Sequence, residues 1–585
     1  MIVLGISAFF HDAAAALVVD GEVVAAAQEE RFSRIKHDER LPAQAARFCL
    51  ERAGLTMADV DHVVFYEKPL RKFERILVTH LRELPRGAGQ FTRAMARWLT
   101  KRLWTQSEIC RELDCSPEQL LFCDHHLSHA ASAFLCSPFD DAAVLTVDGV
   151  GEWATTSIYG AASDSEGSRI ALLRELCYPH SIGLLYSSLT AYLGFEVNEG
   201  EYKVMGLAAF GGPRYESQIR RVCRIDDDGS LQIDSRYLCY ARHATKSFTP
   251  LLEELLGKAR VPGSPLSQPA RTDDDQRFAD IAASLQKVTE DYLLLLAREA
   301  HRATGATKLC LAGGVALNSV ANRRIAEEGP FEEVFVQPAA GDAGGALGAA
   351  LWATHVIHGR PRKPVLTNPF LGADYESEAI DQFLVDCSVE HTVHATDDAL
   401  FAEVAHRLAG GEVGGWFRGR FEWGPRALGA RSILADPREA SMRDRVNRKI
   451  KYREAFRPFA PAVLADEASR WFALPERPDH LTPFMLSVVP VTDEGRERLP
   501  AITHIDGTAR VQTVHRESNG PLFGLLEAFR RETGVGVLLN TSMNLKDEPM
   551  CASPAEAFGV FARSDLDFLV LERCVVDRAA RSARS

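Results

Sequence analysis

The chain has 585 residues, 46% hydrophobic and 25% charged, the proportions of an ordinary globular protein. That excludes a wholly disordered, collagenous or coiled-coil chain, and the length allows about two to four domains. The 67 basic against 80 acidic residues leave a net charge of −13, which argues against a general nucleic-acid surface but leaves room for a local basic pocket.

Taken in chain order, the first elements are strands. Ile2–Ile6, Ala13–Val19 and Glu22–Gln28 are short apolar runs, and Asp20-Gly21 between the last two is the pair that favours a tight hairpin. The start, MIVLGISAFFHDAA, has no basic leader before its apolar stretch, so no secretory signal is expected. Residues 43–53 and 90–113 have helical periodicity. The insertion at 68–115, with Phe73, Phe91, Trp98 and Trp104, is either packed helices or part of a substrate pocket or interface. The strand, Asp-Gly turn, strand pattern returns at Ala142–Val147, Asp148-Gly149 and Thr155–Tyr159, a hint of two related halves. Residues 277–303 form one long amphipathic helix. Lys308–Ala312 then runs into Gly313-Gly314, and Glu333–Gln337 into Gly341-Asp342-Ala343-Gly344-Gly345. The proline-rich stretch 358–373 marks a domain break, which gives domains 1–370 and 371–585. Beyond it, 414–461 is dense in Arg and Gly. Gly536–Leu539 is a strand leading into Asn540-Thr541-Ser542, and the tail RAARSARS is expected to fray. No apolar run reaches the roughly 18 residues of a membrane span. The twelve cysteines contain no C-x-x-C pair, so reduced thiols in a cytoplasm are expected.

Three groups of residues carry chemistry. In DHHLSH at 124–129, His125 and His129 are i and i+4, so a helix would present both imidazoles on one face, where they can share a divalent metal. A histidine-rich turn or backbone-paired core histidines are the structural alternative. Asp148 and Asp342, each in a glycine loop, would complete an N/O set suited to iron, manganese or zinc. The glycine loops at 149–151, 313–314 and 341–345 let a backbone approach phosphates, although none matches a Walker or G-x-G-x-x-G pattern. The third group is RGRFEWGPRALGARSILADPR at 418–438, continued by Arg443, Lys449, Lys451 and Arg457. Aromatics and glycines interrupt this run, which fits a walled oxyanion pocket better than a solvated basic face. Asn540, Thr541, Ser542 and Asn544 would add neutral polar groups. His11, after a strand and two phenylalanines, is a candidate general base, with Lys36 and His37 weaker cases.

In this order, GISAFFHDAAAALVVDGEVVAAAQEERFSR, DHHLSHAASAF, LTVDGVGE, EYKVMGLAAFG, LAGGVALN, GDAGGALGAAL, WGPRALGARSI, KYREAFRPFAP, HIDGTARVQTV and LNTSMN make the chain resemble the NodU/CmcH family of O-carbamoyltransferases over nearly its whole length. The resemblance implies an α/β protein. Its N-terminal domain would be two-lobed and actin/Hsp70/sugar-kinase-like, similar to the tRNA threonylcarbamoyl-transfer enzyme, and its C-terminal domain YrdC-like. It implies that the second domain forms carbamoyl-adenylate from carbamoyl phosphate and ATP. A hydroxyl of a small-molecule acceptor then takes the carbamoyl group in the first domain. By the same resemblance His125, His129, Asp148 and Asp342 would hold a divalent metal, iron in the family, and His11 would be the base. Gly313, Gly314 and Asn318 would line the adenylate site. Arg426, Lys451, Asn540 and Ser542 would hold carbamoyl phosphate or the forming adenylate. His126 would point off the metal-facing side. Homodimers are common in the family, and neither nucleic acid nor membrane is an expected partner. Two other readings compete: a sugar-kinase-like phosphotransferase using the first domain alone, and a non-catalytic nucleotide-binding regulator.

Overall fold

The computed structural model describes residues 1–82, 88–100, 102–243, 246–362, 366–451 and 456–578. The fraying expected of the tail falls almost wholly outside them. The chain divides into two compact units. The first is 1–29 with 39–365, and the second is 366–585 with the short segment 30–38. Assignment of 30–38 to the second unit differs from a simple cut near 370. Its cause is a set of polar anchors. Arg31 donates to the Gly424 carbonyl (3.1 Å) and lies over the Phe421 ring, and Arg34 donates to the carbonyls of Pro549 and Met550.

In the first unit β1 (Ile2–Ser7), β2 (Ala14–Val19), β3 (Glu22–Gln28), β4 (His62–Phe65) and β5 (Leu120–Phe122) form a sheet in the order β3-β2-β1-β4-β5. The first three are antiparallel neighbours, and β1, β4 and β5 run parallel. Asp20 and Gly21 both have positive φ, as the tight turn between β2 and β3 requires. A second sheet holds β6 (Asp141–Val147), β7 (Ala154–Asp164) and β8 (Gly167–Cys177), with β11 (Lys308–Ala312) and β12 (Glu333–Val336). A small hairpin, β9 (Cys223–Ile225) with β10 (Leu231–Ile233), lies between them in sequence. Its order is β8-β7-β6-β11-β12. β6, β7 and β8 are antiparallel, and β6, β11 and β12 are parallel. The same topology therefore occurs twice, and the two repeated hairpins are its corresponding parts. This duplicated arrangement agrees with the two-lobed α/β N-terminal domain expected from the sequence.

The halves are joined by two exchanged helices. The His125–Phe134 helix follows the last strand of the first sheet and packs on β6 and β11 of the second. The Asp342–Trp352 helix follows the last strand of the second sheet and packs on β1 and β2 of the first. The two helices also pack on each other, and small residues permit it. A side chain on Gly348 would overlap the Ser128 carbonyl oxygen, and one on Gly5 would overlap that of Ala346. The long helix, Asp273–Thr304, is capped by Thr272, whose hydroxyl accepts from the Asp275 N–H (3.0 Å). In the 68–115 insertion the helices are Pro69–Arg82, Ala88–Thr100 and Thr105–Leu113. Phe73 packs against Trp98 (centroids 5.5 Å apart), whereas Trp104 faces outward. No helix among the described residues is long and apolar enough to cross a membrane.

The second unit is built on an eight-stranded mixed sheet. Its strands are β13 (Thr392–Val393), β14 (Gly414–Phe417), β15 (Arg431–Ala435), β16 (Ala460–Leu464), β19 (Gln512–Val514), β20 (Val537–Ser542), β21 (Phe568–Leu571) and β22 (Cys574–Asp577). Their order is β13-β22-β21-β14-β15-β20-β16-β19, and β17 (Val489–Pro490) pairs separately with β18 (Thr508–Ala509). Alternation splits its side chains between two cores. Phe417, Ile433, Val463, Leu539 and Leu569 meet the Ser377–Asp386 and Pro554–Arg563 helices. Trp416, Leu434, Leu464, Leu538 and Val570 meet the Asp397–Ala409 and Gly520–Thr533 helices. β20 runs on through Asn540, Thr541 and Ser542, which the sequence reading left beyond its strand. They pair with Leu434, Ile433 and Ser432.

Alanine is the better helix former by about 1 kcal/mol. Gly348→Ala is nevertheless expected to destabilise the first unit by about 1–3 kcal/mol, because the new methyl must push the two exchanged helices apart. An unchanged denaturation midpoint would contradict the close packing.

Candidate active site

Five candidate residues of the first unit lie past the C-terminal ends of parallel strands: His11 after β1, His125 after β5, Asp148 after β6, Gly313 after β11 and Asp342 after β12. Ligand sites in open α/β sheets form at such ends. His125 and Asp342 each begin one of the exchanged helices, so the packing of those helices brings the two residues together.

His125 Nε2 lies 3.1 Å from His129 Nε2, 3.3 Å from Asp148 Oδ2 and 3.7 Å from Asp342 Oδ1. His129 Nε2 lies 3.5 Å from the same Asp342 oxygen. One ligand atom from each of the four residues lies within 4.8 Å of all the others, and all four residues are buried. Asp148 is aimed by the Gly314 N–H, which donates to its Oδ1 (2.9 Å). Gly313 makes this possible through its positive φ, with its backbone against the carbonyl of Val147. Glu152, which sequence reasoning passed over, accepts the backbone N–H of His125 (3.0 Å) and of Lys68 (2.7 Å). It thereby places a carboxylate at the start of the helix that carries both imidazoles. Tyr66, also passed over, donates its hydroxyl to Asp342 Oδ2 (3.4 Å). Neither residue stands out in sequence, since a single Glu or Tyr beside a strand end has no periodic or spacing signature.

The electrostatics of the cluster are those of a site that requires positive charge. Burial pushes the Asp148 carboxyl up, but its hydrogen bond to His125 and the surrounding imidazoles outweigh burial and hold it well below the usual range. Asp342 is likewise held down against burial by His11 and His125. Burial would lower His125, yet Asp342 and Asp148 raise it to about 9. Two Nε2 atoms face each other at 3.1 Å beside two carboxylates, an arrangement that needs added protons or a cation to balance it. An N₂O₂ donor set of this kind fits a divalent cation such as iron, manganese or zinc. His126 takes no part. Its Nδ1 pairs with Thr146 Oγ1 (2.7 Å) and lies 3.3 Å from Ser157 Oγ, and burial lowers its pKa to about 3, so it is neutral.

His11 stands at the edge of the cluster, its Nε2 3.9 Å from Asp342 Oδ2 and its Nδ1 2.9 Å from Asp12 Oδ2, with its side chain one-fifth exposed. Its loop is strained: Phe9 and Asp12 both have positive φ. The Phe9 N–H is tied to the Glu39 carbonyl (2.7 Å), and its ring is held by Phe65 and Arg102. Asn318 has a structural task. Its Oδ1 caps the Ser319–Glu328 helix through the Ala321 N–H, and its amide exchanges hydrogen bonds with Gln286. Lys36 and His37 fall in the 30–38 segment of the second unit, where the His37 N–H donates to Glu30 (2.9 Å).

In the second unit Lys451 Nζ donates to the Ser542 carbonyl (2.7 Å), the Asn544 carbonyl (2.9 Å) and Asn544 Oδ1 (2.6 Å). Ser542 Oγ donates to Asn544 Oδ1 (2.7 Å). Asn540 lies two residues back on the same face of β20. Its Nδ2 donates to Gln512 (2.8 Å) and to the carbonyl of Ala427, the neighbour of Arg426, while its Oδ1 is buried without a hydrogen bond. Glu422 organises the loop that carries Arg426 by accepting the N–H groups of Leu428, Ala430 and Arg431. The fully buried Arg431 lies 3.6 Å over the Phe417 ring and donates to the Gly419 and Ala373 carbonyls.

Comparison with known proteins places these features in a family. The model for the carbamoyltransferase N-terminus matches residues 2–351, and that for the carbamoyltransferase C-terminus matches residues 405–578. The chain belongs to the carbamoyltransferase family of NodU/CmcH type and is an enzyme of that class. It is 46% identical to an uncharacterised protein of Synechocystis sp. over 100% of this chain and 97% of the relative. It is 38% identical to the nodulation protein NolNO of Sinorhizobium fredii, over 98% of this chain and 80% of that one. It is also 38% identical to the 3'-hydroxymethylcephem-O-carbamoyltransferase of Amycolatopsis lactamdurans, over 41% and 43%. Membership sets aside the kinase and regulator readings.

His129→Ala is expected to weaken divalent-cation binding more than about tenfold, measured as metal per chain after dialysis against limiting metal. Glu152→Ala, which removes no ligand atom, is expected to cost about tenfold through loss of orientation. Full metal retention in folded His129→Ala would contradict the ligand set.

Proposed function

We propose that this carbamoyltransferase is ATP-dependent. In this reading the second unit makes carbamoyl-adenylate from carbamoyl phosphate and ATP, and the first unit transfers the carbamoyl group to a hydroxyl of a small molecule such as an antibiotic, a sugar or an oligosaccharide. The observation that carries it is the buried cluster of His125, His129, Asp148 and Asp342 with His11 on its solvent side, in a chain of this family.

In the first half-reaction water releases carbamate and inorganic phosphate from carbamoyl phosphate. The carbamate oxygen bonds to the α-phosphorus of ATP, and pyrophosphate leaves. Arg426 and Lys451 would balance the growing oxyanion charge, and the Ser542 hydroxyl would orient it. The unpaired Asn540 Oδ1 suits the N–H groups of a carbamoyl amide. In the second half-reaction His11 takes the proton of the acceptor hydroxyl. The oxygen bonds to the carbamoyl carbon, the bond to the adenylate oxygen breaks, and AMP leaves. The Gly313-Gly314 backbone and Asn318 would line the adenylate. A divalent cation held by His125, His129, Asp148 and Asp342, iron by family resemblance, would polarise the mixed anhydride and neutralise its phosphate. The exposed edge of His11 gives an acceptor a route to the base without opening the buried cluster. We propose a cytoplasmic enzyme with no nucleic-acid or membrane partner, in a family where homodimers are common.

Incubation with ATP and carbamoyl phosphate, without acceptor, is expected to yield pyrophosphate and carbamoyl-adenylate. No carbamoyl-phosphate-dependent product from folded, metal-loaded protein would overturn the reading. His11→Ala is expected to slow carbamoyl transfer about 10²- to 10⁴-fold and to leave pyrophosphate formation intact. Lys451→Met is expected to abolish pyrophosphate formation while metal content stays unchanged. The reverse assignment of effects would show that the two half-reactions have been placed in the wrong units.

A further inference from the structure

We infer that Asp381, His391 and Cys574 form a second metal site, for a zinc-like divalent cation, in the second unit. The three residues come from three elements. Asp381 is on the Ser377–Asp386 helix, His391 immediately precedes β13, and Cys574 is the first residue of β22. Two contacts fix their meeting. β13 pairs with β22 so that Val393 lies opposite Cys574. On the helix, Ile380 and Leu384 are buried in the same core cluster as Cys574 and Val576, which presses that helix against the sheet edge and leaves Asp381 at its rim. One ligand atom from each residue lies within 4.8 Å of the other two.

The histidine is oriented as a ligand. Its Nδ1 lies 2.8 Å from the Val389 carbonyl, which accepts a hydrogen bond and fixes the Nδ1–H tautomer. Nε2 then presents its lone pair 2.7 Å from Asp381 Oδ1. Two acceptors so close require a proton or a cation between or beside them. A carbonyl behind a metal-ligating imidazole is the usual supporting contact. The thiol favours the cation, because imidazole, thiolate and carboxylate within reach of one another are a zinc set. Asp381 is 47% exposed, so a solvent molecule has a path to the fourth position, while the His391 side chain is only 9% exposed. The cation would staple the Ser377–Asp386 helix to the two strands at that edge of the sheet.

Cobalt distinguishes this site from the cluster of the first unit, whose four residues include no sulfur. Metal-stripped full-length protein titrated with Co²⁺ is expected to develop thiolate-to-cobalt charge-transfer absorption in the near ultraviolet. The absorption should persist in His129→Ala and vanish in Cys574→Ser. Asp381→Asn, at a half-exposed position that folding tolerates, is expected to weaken the cobalt affinity read from that absorption by at least about tenfold. Absence of thiolate absorption in folded protein would overturn the inference. So would absorption that survives Cys574→Ser, or affinity unchanged by Asp381→Asn.

Discussion

Two carboxylates buried within a few ångströms of each other cannot both stay ionised without matching positive charge, and this constraint governs the first unit. Asp148 and Asp342 sit in such a place, with His125 and His129 between them. Without a cation the balance is struck with protons: the carboxylates raise His125 and His11 to about 9, against the opposing effect of burial. A divalent cation would supply the same charge and release those protons, which leaves His11 free to act as a base. The structural and chemical demands on the cluster are therefore the same demand.

The fold exists in duplicate, and the duplication is what makes the cluster. Each half ends its sheet with a parallel strand whose following helix crosses to the other half. Two helix N-termini and two antiparallel hairpins consequently present their first residues at one place. The approach of the helices is limited by backbone contact, with Ser128 against Gly348 and β1 against Ala346 through Gly5. The distances of 3.7 Å and 3.5 Å from Asp342 to His125 and His129 follow from that approach. The second unit uses a different device. A buried carboxylate, Glu422, gathers three N–H groups and holds the loop ahead of β15, and Asn540 at the polar end of β20 donates to the Ala427 carbonyl of that loop.

Much of this was legible in the sequence where the signal is local. Asp20-Gly21 gave its hairpin, the i and i+4 spacing put His125 and His129 on one helical face, and the strand-to-glycine junctions at 312–314 and 336–345 were strand ends. What was not legible depends on contacts across long stretches of chain. Asp342 joins His125 only because helices more than two hundred residues apart in sequence are exchanged between halves. Glu152 and Tyr66 act through single hydrogen bonds that leave no pattern. The expected strand Gly536–Leu539 stops short of Asn540, Thr541 and Ser542, whose polar side chains carry no apolar alternation, yet their backbones complete the ladder with β15. Segment 30–38 belongs with the second unit because of side-chain-to-carbonyl bonds made by Arg31 and Arg34, which no propensity foretells.

The most direct test of the central claim, that His125, His129, Asp148 and Asp342 together hold a catalytic cation, is anomalous diffraction from crystals of the protein grown with iron and measured across the iron absorption edge. One peak is expected among the four side chains, about 2.0–2.2 Å from both Nε2 atoms and from an oxygen of each carboxylate. A crystal with well-ordered side chains at this cluster and no anomalous density there would contradict the claim.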